Sequence, residues 1–341
     1  MAKKHYIIPI FIPHFGCPHD CIFCNQREIT GVAEVDVEEV RDRIEEYLET
    51  IDHTEAKVEI AFYGGSFTGL AIEEQNRFLE VAVDYYRQGV VDSLRLSTRP
   101  DYISAEILNN LAAYGVEVIE LGVQSLVAEV LEAAQRGHGV EEVLRASNLI
   151  KDFGFRLGIQ LMPGLPKATQ ETMLYSAKKT IELAPDLVRI YPTLVIKDTA
   201  LAQLYQKGLF TPLTVAEAVQ ICKEELLMFR EAEIPVIRIG LQPSAEVNQE
   251  SIVAGPFHPA FRQLVESKLV LDKLKEELGP NMKFDVLSLK INPRFSSVLR
   301  GQKNSNLIDL KQSYQVEVKV EVDQQLEFGE IVINEQKIIK I

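Results

Sequence analysis

Three of the chain's four cysteines fall within eight positions, Cys17-Pro18-His19-Asp20-Cys21-Ile22-Phe23-Cys24, with three and then two residues between them. The rest of the chain is organised around that loop, which follows the strand-like run Tyr6-Ile7-Ile8-Pro9-Ile10-Phe11-Ile12-Pro13. Three thiolates on one short loop suit three corners of a [4Fe–4S] cluster, which normally takes four ligands. The missing fourth leaves one iron with an open position, where a substrate or cofactor binds directly, as at catalytic metal sites. Two other readings use the same residues. A structural zinc site would add His14 or His19 to the cysteines. A disulfide fits less well, because the spacing suits ligation and the remaining cysteine, Cys222, is distant. Cys222 lies in an apolar helical pattern and reads as a small buried hydrophobe.

The 341 residues allow one large domain, or a large and a small one. Hydrophobic residues at 46% and charged residues at 25% describe an ordinary globular chain with ample core. No apolar run approaches the length of about eighteen residues that a membrane span needs. Met1-Ala2-Lys3-Lys4-His5-Tyr6 lacks the apolar segment and cleavage site of a signal peptide. Few cysteines, three of them needed as thiolates, point to a reducing compartment, so a cytoplasmic location is expected. A formal net charge of −14 disfavours broad capture of nucleic acid, which rests on neutralising many phosphates, but leaves room for a local basic rim.

Strand-like runs recur, each followed by a helical pattern. Asp36 reads as an N-cap with Glu39 three residues on, starting a helix through Val40, Ile44 and Leu48. Strands are expected at Lys57–Tyr63, Ser93–Thr98, Val116–Val123, Arg156–Met162 and Leu187–Tyr191. Helices follow over about 72–88, after Ser104, after Thr169 and over about 214–232. Six strand–helix units in succession argue for an α/β protein with a parallel sheet and right-handed crossovers, either open or curled into a barrel. Val236–Gly240 is a candidate further strand. Beyond it the pattern changes to a helix over about 259–278, strands at Phe284–Ile291, Tyr314–Val322 and Ile331–Ile341, and a helix near 302–312. The expected division is a core of residues 1–240 and a small α/β appendage of residues 241–341.

A Cys-x3-Cys-x2-Cys loop after a first strand, with Phe23 before the last cysteine, resembles the signature of the radical S-adenosylmethionine enzymes. The resemblance implies a partial (β/α)6 barrel with chemistry at the C-terminal ends of its strands. It makes Cys17, Cys21 and Cys24 the ligands of a [4Fe–4S] cluster whose open iron is chelated by S-adenosylmethionine. It also implies reductive cleavage to a 5′-deoxyadenosyl radical that takes hydrogen from a substrate, fed by an external donor such as flavodoxin or ferredoxin. Gly64-Gly65-Ser66 resembles the glycine pair whose backbone holds the methionine amino group, with Ser66 where many relatives are acidic. By likeness to oxygen-independent coproporphyrinogen oxidase, Ser97, Gln124, Arg136 and Gln160 are further S-adenosylmethionine contacts. Arg136 suits the methionine carboxylate, because a planar guanidinium binds carboxylates bidentately.

A closer likeness, over about residues 8–240, is to the radical half of the elongator catalytic subunit, which modifies the wobble uridine of tRNA. Gly64-Gly65-Ser66-Phe67-Thr68, Thr98-Arg99-Pro100-Asp101, Glu120–Ser125, Arg136-Gly137-His138 and Tyr191–Ile196 carry it. Two departures are visible: elongator-type enzymes space the first two cysteines more widely, and no acetyltransferase domain is expected within these residues. The expected function is therefore a radical S-adenosylmethionine enzyme, of iron–sulfur oxidoreductase or transferase type, on a small-molecule substrate. RNA is the second candidate partner, and a non-catalytic cluster carrier the rival from another class. Tyr63 and Tyr191 are candidates for the barrel mouth, though packed core tyrosines are the simpler reading. Lys290, Arg294, Arg300 and Lys303 flank Asn304-Ser305-Asn306 in the appendage, where a solvated basic loop is the simpler reading.

Overall fold

A computed structural model describes residues 5–12, 21–24, 36–51, 56–241, 250–280 and 285–341. Cys17, His14 and His19 lie outside them. The first six strands are β1 (His5–Ile12), β2 (Lys57–Gly64), β3 (Ser93–Thr98), β4 (Val116–Gln124), β5 (Arg156–Leu161) and β6 (Leu187–Ile190). A short β7 (Val195–Ile196) leaves the sheet, the candidate further strand forms β8 (Val236–Ile239), and β9 (Ile252–Ala254) pairs antiparallel with β7. The main sheet has seven strands in the order β1-β2-β3-β4-β5-β6-β8, every neighbouring pair parallel. It curls into a partial barrel, the expected architecture with one more strand than the six units counted from the pattern.

Helices α1 (Val37–Leu48), α2 (Ile72–Arg87), α3 (Ala105–Ala113), α4 (Ala128–Ala133), α5 (Val140–Asp152), α6 (Gln170–Glu182), α7 (Ala200–Gln206) and α8 (Val215–Glu231) fill the crossovers. The side chains of Asp36, Ser104 and Thr169 accept hydrogen bonds from first-turn backbone N–H groups, as their positions before the helices predict. Alternation along the strands separates two faces. Ile8, Ile10, Ile12, Val58, Ile60, Phe62, Leu94, Leu96, Ile119, Leu121, Leu157, Ile159, Val188 and Ile190 are all buried. The intervening set is polar at Glu59, Tyr63, Arg95, Ser97, Glu120, Gln160, Arg189 and Tyr191. A complete barrel fills its interior with branched apolar side chains. Here the inner face carries charge, as a surface does that holds polar ligands.

Compactness divides the chain into Met1–Thr214 with Glu225–Phe257, and Val215–Glu224 with His258–Ile341. The second unit contains α9 (Phe261–Leu278), β10 (Val286–Ile291), α10 (Ser296–Arg300), α11 (Ser305–Tyr314), β11 (Glu317–Val322), β12 (Glu330–Ile333) and β13 (Lys337–Lys340). Its sheet runs β11-β10-β12-β13 over a core that includes Leu274, Leu287, Leu289, Leu299, Leu310 and Ile331. The single strand expected over Ile331–Ile341 is instead the hairpin β12–β13. Asn334 and Glu335, at φ 49° and 58°, make the turn; two left-handed residues are what a tight hairpin needs, but Asn-Glu is a weaker signal than Asn-Gly.

One end of the inner face is stitched by Glu59. Its carboxylate meets Arg95 at 2.7 Å, Lys57 at 3.0 Å and His5 Nε2 at 2.9 Å, and accepts from Ser93 Oγ at 3.0 Å. Burial alone would raise the pKa of this carboxyl, but Arg95, Lys57 and His5 outweigh burial and hold it down at about 2, from 4.5. A depressed folded-state pKa stabilises the fold above the unfolded value, and that contribution is lost as pH falls through the folded one. The stability difference between wild type and Glu59→Gln should therefore hold steady above pH 4.5 and shrink toward pH 2, read by denaturant unfolding. A difference that does not change across that window would contradict the assignment.

Candidate functional site

The cysteine loop is tied down on both sides. Ile22 N–H donates to Ala134 O at 3.2 Å, Leu201 N–H donates to Ile22 O at 2.7 Å, and Cys24 N–H donates to Cys21 O at 2.9 Å. Phe23 packs against Val130, Ala134 and Leu165, with the Arg136 guanidinium 5.9 Å from its ring centre. Cys24 is half-buried and Cys21 is buried. Two cations face the Cys21 sulfur: Arg136 Nη1 donates to it at 3.1 Å and Arg99 Nη1 at 3.7 Å. Arg136 also donates to Gly122 O at 2.6 Å and, through Nε, to His138 Nε2 at 3.3 Å. Arg99 is gripped by Asp101 and donates to Arg136 O.

These contacts dictate the local residue types. Burial, and then the Arg136 cation, push His138 down to about 4, so its ring is neutral near pH 7 and accepts the Arg136 hydrogen bond. The Asp101 carboxyl lies below its ordinary range, because its bonds to Arg99 outweigh its burial. A side chain at Gly122 would press on Gln124 Nε2 at 2.9 Å and on Arg136 Nη2 at 3.5 Å. The resemblance places Arg136 at the S-adenosylmethionine carboxylate; here its donors meet the Cys21 sulfur, a carbonyl and a histidine. Arg99 and His138 belong to the motifs Thr98-Arg99-Pro100-Asp101 and Arg136-Gly137-His138, and only the fold brings them to Cys21 and Arg136.

The remaining candidates stand at the C-terminal ends of the parallel strands. Gly64 has φ 99°, a conformation that disfavours side chains, and Gly65 N–H donates to Ile12 O at 3.3 Å. Ser66 is buried, with its hydroxyl 2.9 Å from Thr98 Oγ1 and accepting from Arg99 N–H at 3.0 Å. It therefore braces the ends of β2 and β3. Ser97 is half-buried and pairs in register with Glu120. Gln124 sits at a β-bulge with φ 69°, a strained setting for a non-glycine residue, and accepts from Gln160 Nε2 at 3.0 Å.

Deeper in the barrel lies a group that sequence reading missed apart from its tyrosines. Glu120 is bound by Arg95 at 2.8 Å and by Arg189, and accepts from Tyr63 OH at 3.0 Å. Arg189 donates to Tyr191 OH at 3.0 Å and to Tyr63 OH at 2.6 Å. Burial, and then the Glu120 charge, push the Tyr63 phenol up, so it stays a protonated donor.

The donor set fits a cluster and S-adenosylmethionine in two respects. A buried cysteine sulfur receives N–H donors, as the sulfurs of iron–sulfur ligands do. Gly64 and Gly65, at the end of β2, carry no side chain to keep a ligand from the backbone. Among the described residues no three His, Cys, Asp or Glu side chains converge on one metal position, and Cys17 is not among those residues.

Comparison with known proteins agrees. The profile of the Radical SAM superfamily matches residues 11–179, and that of the Radical SAM C-terminal domain matches residues 185–270. The chain is 34% identical over 203 residues to a tRNA uridine(34) acetyltransferase of Methanocaldococcus infernus, covering 54% of this chain and 38% of that protein. It is 26% identical over 285 residues to Elongator complex protein 3 of Bos taurus, covering 67% and 52%. The solved archaeal Elp3 of Methanocaldococcus infernus aligns with a TM-score of 0.62 at 25% identity, over 83% of this chain and 65% of that one. The chain spans less than two fifths of the length of the archaeal curated relative and about half that of the bovine one. No helix among the described residues is long and apolar enough to cross a membrane. The two profile matches, on a partial barrel of parallel strands, make this chain a member of the Radical SAM superfamily of enzymes.

Proposed function

We propose that the chain is a radical S-adenosylmethionine enzyme in which Cys17, Cys21 and Cys24 hold a [4Fe–4S] cluster, working in a reducing, cytoplasmic compartment. The observation that carries this reading is the buried Cys21 sulfur, faced by Arg99 and Arg136 beside the C-terminal ends of β3 and β4. When bound, the cluster and S-adenosylmethionine supply one-electron cleavage to methionine and a 5′-deoxyadenosyl radical, with the electron delivered by an external donor such as flavodoxin or ferredoxin. The protein's part is to hold and orient. Arg99 and Arg136 donate to the Cys21 sulfur, and Gly64 and Gly65 place no side chain of their own between the end of β2 and a ligand. Ser66, Ser97, Gln124 and Gln160 offer polar groups there, and Arg136 retains N–H groups for a carboxylate. Tyr63, Glu120 and Arg189 give the inner face a polar floor suited to a hydrogen-bonding substrate. Residues 1–240 would form the catalytic core, with residues 241–341 as the appendage.

Of the two substrate classes, RNA has a specific observation behind it. The similarity at 34% identity is to an enzyme named for tRNA uridine 34. A small polar molecule remains compatible with the same inner face.

Anaerobic reconstitution followed by iron and sulfide analysis tests the ligand set. Cys17→Ala, Cys21→Ala and Cys24→Ala should each lose the cluster while keeping their helical circular dichroism, because the sheet core does not depend on the loop. Cys222→Ala should keep its iron. A triad variant with normal iron content, or loss of iron from Cys222→Ala, would sink the assignment. Gln124→Ala and Gln160→Ala should retain iron but bind S-adenosylmethionine about tenfold more weakly, the worth of about one good hydrogen bond. Unchanged affinity in both, measured by equilibrium dialysis, would remove the two glutamines from the site.

A further inference from the structure

In the second unit, β10 leads into α10, a two-helix turn, α11 and then β11, which lies parallel beside β10. The turn is Gly301-Gln302-Lys303-Asn304. Gly301 ends α10 at φ 68°, its N–H donating to Ser297 O at 3.2 Å. A side chain there would strike Ser305 and Asn306. Lys303 and Asn304 follow at φ 53° and 61°, so the chain reverses within a few residues. Asn306 is buried and donates to Leu299 O at 3.1 Å and Ser267 O at 2.8 Å. That bond pair fixes the start of α11 against the end of α10 and against α9. Gln302, Lys303, Asn304 and Ser305 stay exposed, and the side chain of Asn304 makes no cap on the first turn of α11.

Charge is an independent observation. In a chain of net charge −14, residues 290–311 carry five cations, Lys290, Arg294, Arg300, Lys303 and Lys311, and one carboxylate. That carboxylate, Asp309, is paired with Lys275. Among the described residues, Lys303 has neither an ion pair nor a hydrogen bond. β11 is an edge of its sheet, and exposed apolar side chains stand on α11 (Ile308) and on β11 (Val322).

We propose that this helix–turn–helix, with α11 and the open edge of β11, binds the backbone of a single-stranded polynucleotide. The arrangement is that of KH modules, in which a Gly-x-x-Gly turn between two helices clamps about four backbone nucleotides. Here Asn304 takes the place of the second glycine, and asparagine is one of the few other residues that adopts its left-handed backbone. Gly301 lets the chain reverse tightly against Ser305 and Asn306, which leaves Gln302, Lys303 and Asn304 exposed to a phosphate; Lys303 and its neighbours neutralise charge, and the edge of β11 offers backbone groups to bases. Carboxylates elsewhere in the chain, Glu317 and Glu321 on β11 among them, repel phosphate, which confines backbone contact to the turn. The proposal deepens the RNA reading above but does not rest on cluster chemistry, so the two fail separately.

Fluorescence anisotropy of the full chain, with and without its cluster, uses labelled oligouridylate and oligodeoxythymidylate of about ten nucleotides, longer than the about four that such a turn clamps. Wild type should bind in both cluster states, and the two probes distinguish RNA from DNA. Gln302→Asp with Lys303→Asp should weaken binding at least about tenfold, and Lys303→Gln should lower the salt slope by about 0.7, one phosphate contact on a single strand. Lys207→Asp, an exposed charge reversal in the first unit, should leave binding unchanged. An unchanged melting temperature in each variant separates lost contact from lost fold; if the double variant melts lower, Lys303→Gln alone decides. No binding by wild type at low salt, or equal loss in Lys207→Asp, would overturn the proposal.

Discussion

One carboxylate organises the inner face of the barrel. Glu120, on β4, meets Arg95 from β3, Arg189 from β6 and Tyr63 from β2, so four strands are cross-linked on their concave side. Removing one partner of a buried charged group typically costs about 3–5 kcal/mol, because the remaining charge is left uncompensated. The spacing of these strands is thereby coupled to a charge balance as well as to packing. Gly158 follows from it: a side chain there would lie 2.8 Å from Glu120 Cγ and 2.7 Å from Leu187 Cδ1.

This polar interior explains how the fold is both rigid and receptive. The outward faces of the strands bury a continuous apolar layer, and the stability of the unit comes from there. The inward faces are freed from packing and carry groups that hydrogen-bond each other and remain suited to a polar ligand. Arg99 and Arg136 extend the same logic to the rim, where each is held by other protein groups, Asp101, His138 and Gly122 O, while still pointing at the Cys21 sulfur. A donor whose position is fixed in advance loses little freedom when a ligand arrives.

Much of the fold was legible in the sequence, because alternating β and α patterns with N-caps at Asp36, Ser104 and Thr169 are local signals. The five residues Val236–Gly240 were legible only as a candidate, since so short a strand is settled by β6 lying beside it. The β12–β13 hairpin was hidden by the unusual Asn334-Glu335 turn. In the candidate site, the cysteines stood out by their spacing, and the strand-end residues through the family resemblance. Arg95, Glu120 and Arg189 did not, because each sits inside an apolar strand run and its charged partners lie 25 to 69 residues away. Charged residues in the middle of parallel strands were nevertheless a signal, since such strands are usually buried on both faces. Arg99 and His138 could be assigned only when folding brought them to Cys21 and Arg136.

The most direct test of the radical reading is product analysis. Reconstituted protein, S-adenosylmethionine and a strong one-electron reductant are incubated anaerobically without added substrate. Formation of methionine and 5′-deoxyadenosine in equal amounts, dependent on reductant, is the predicted result. A reconstituted protein that holds its cluster and binds S-adenosylmethionine, yet yields neither product, would contradict the account.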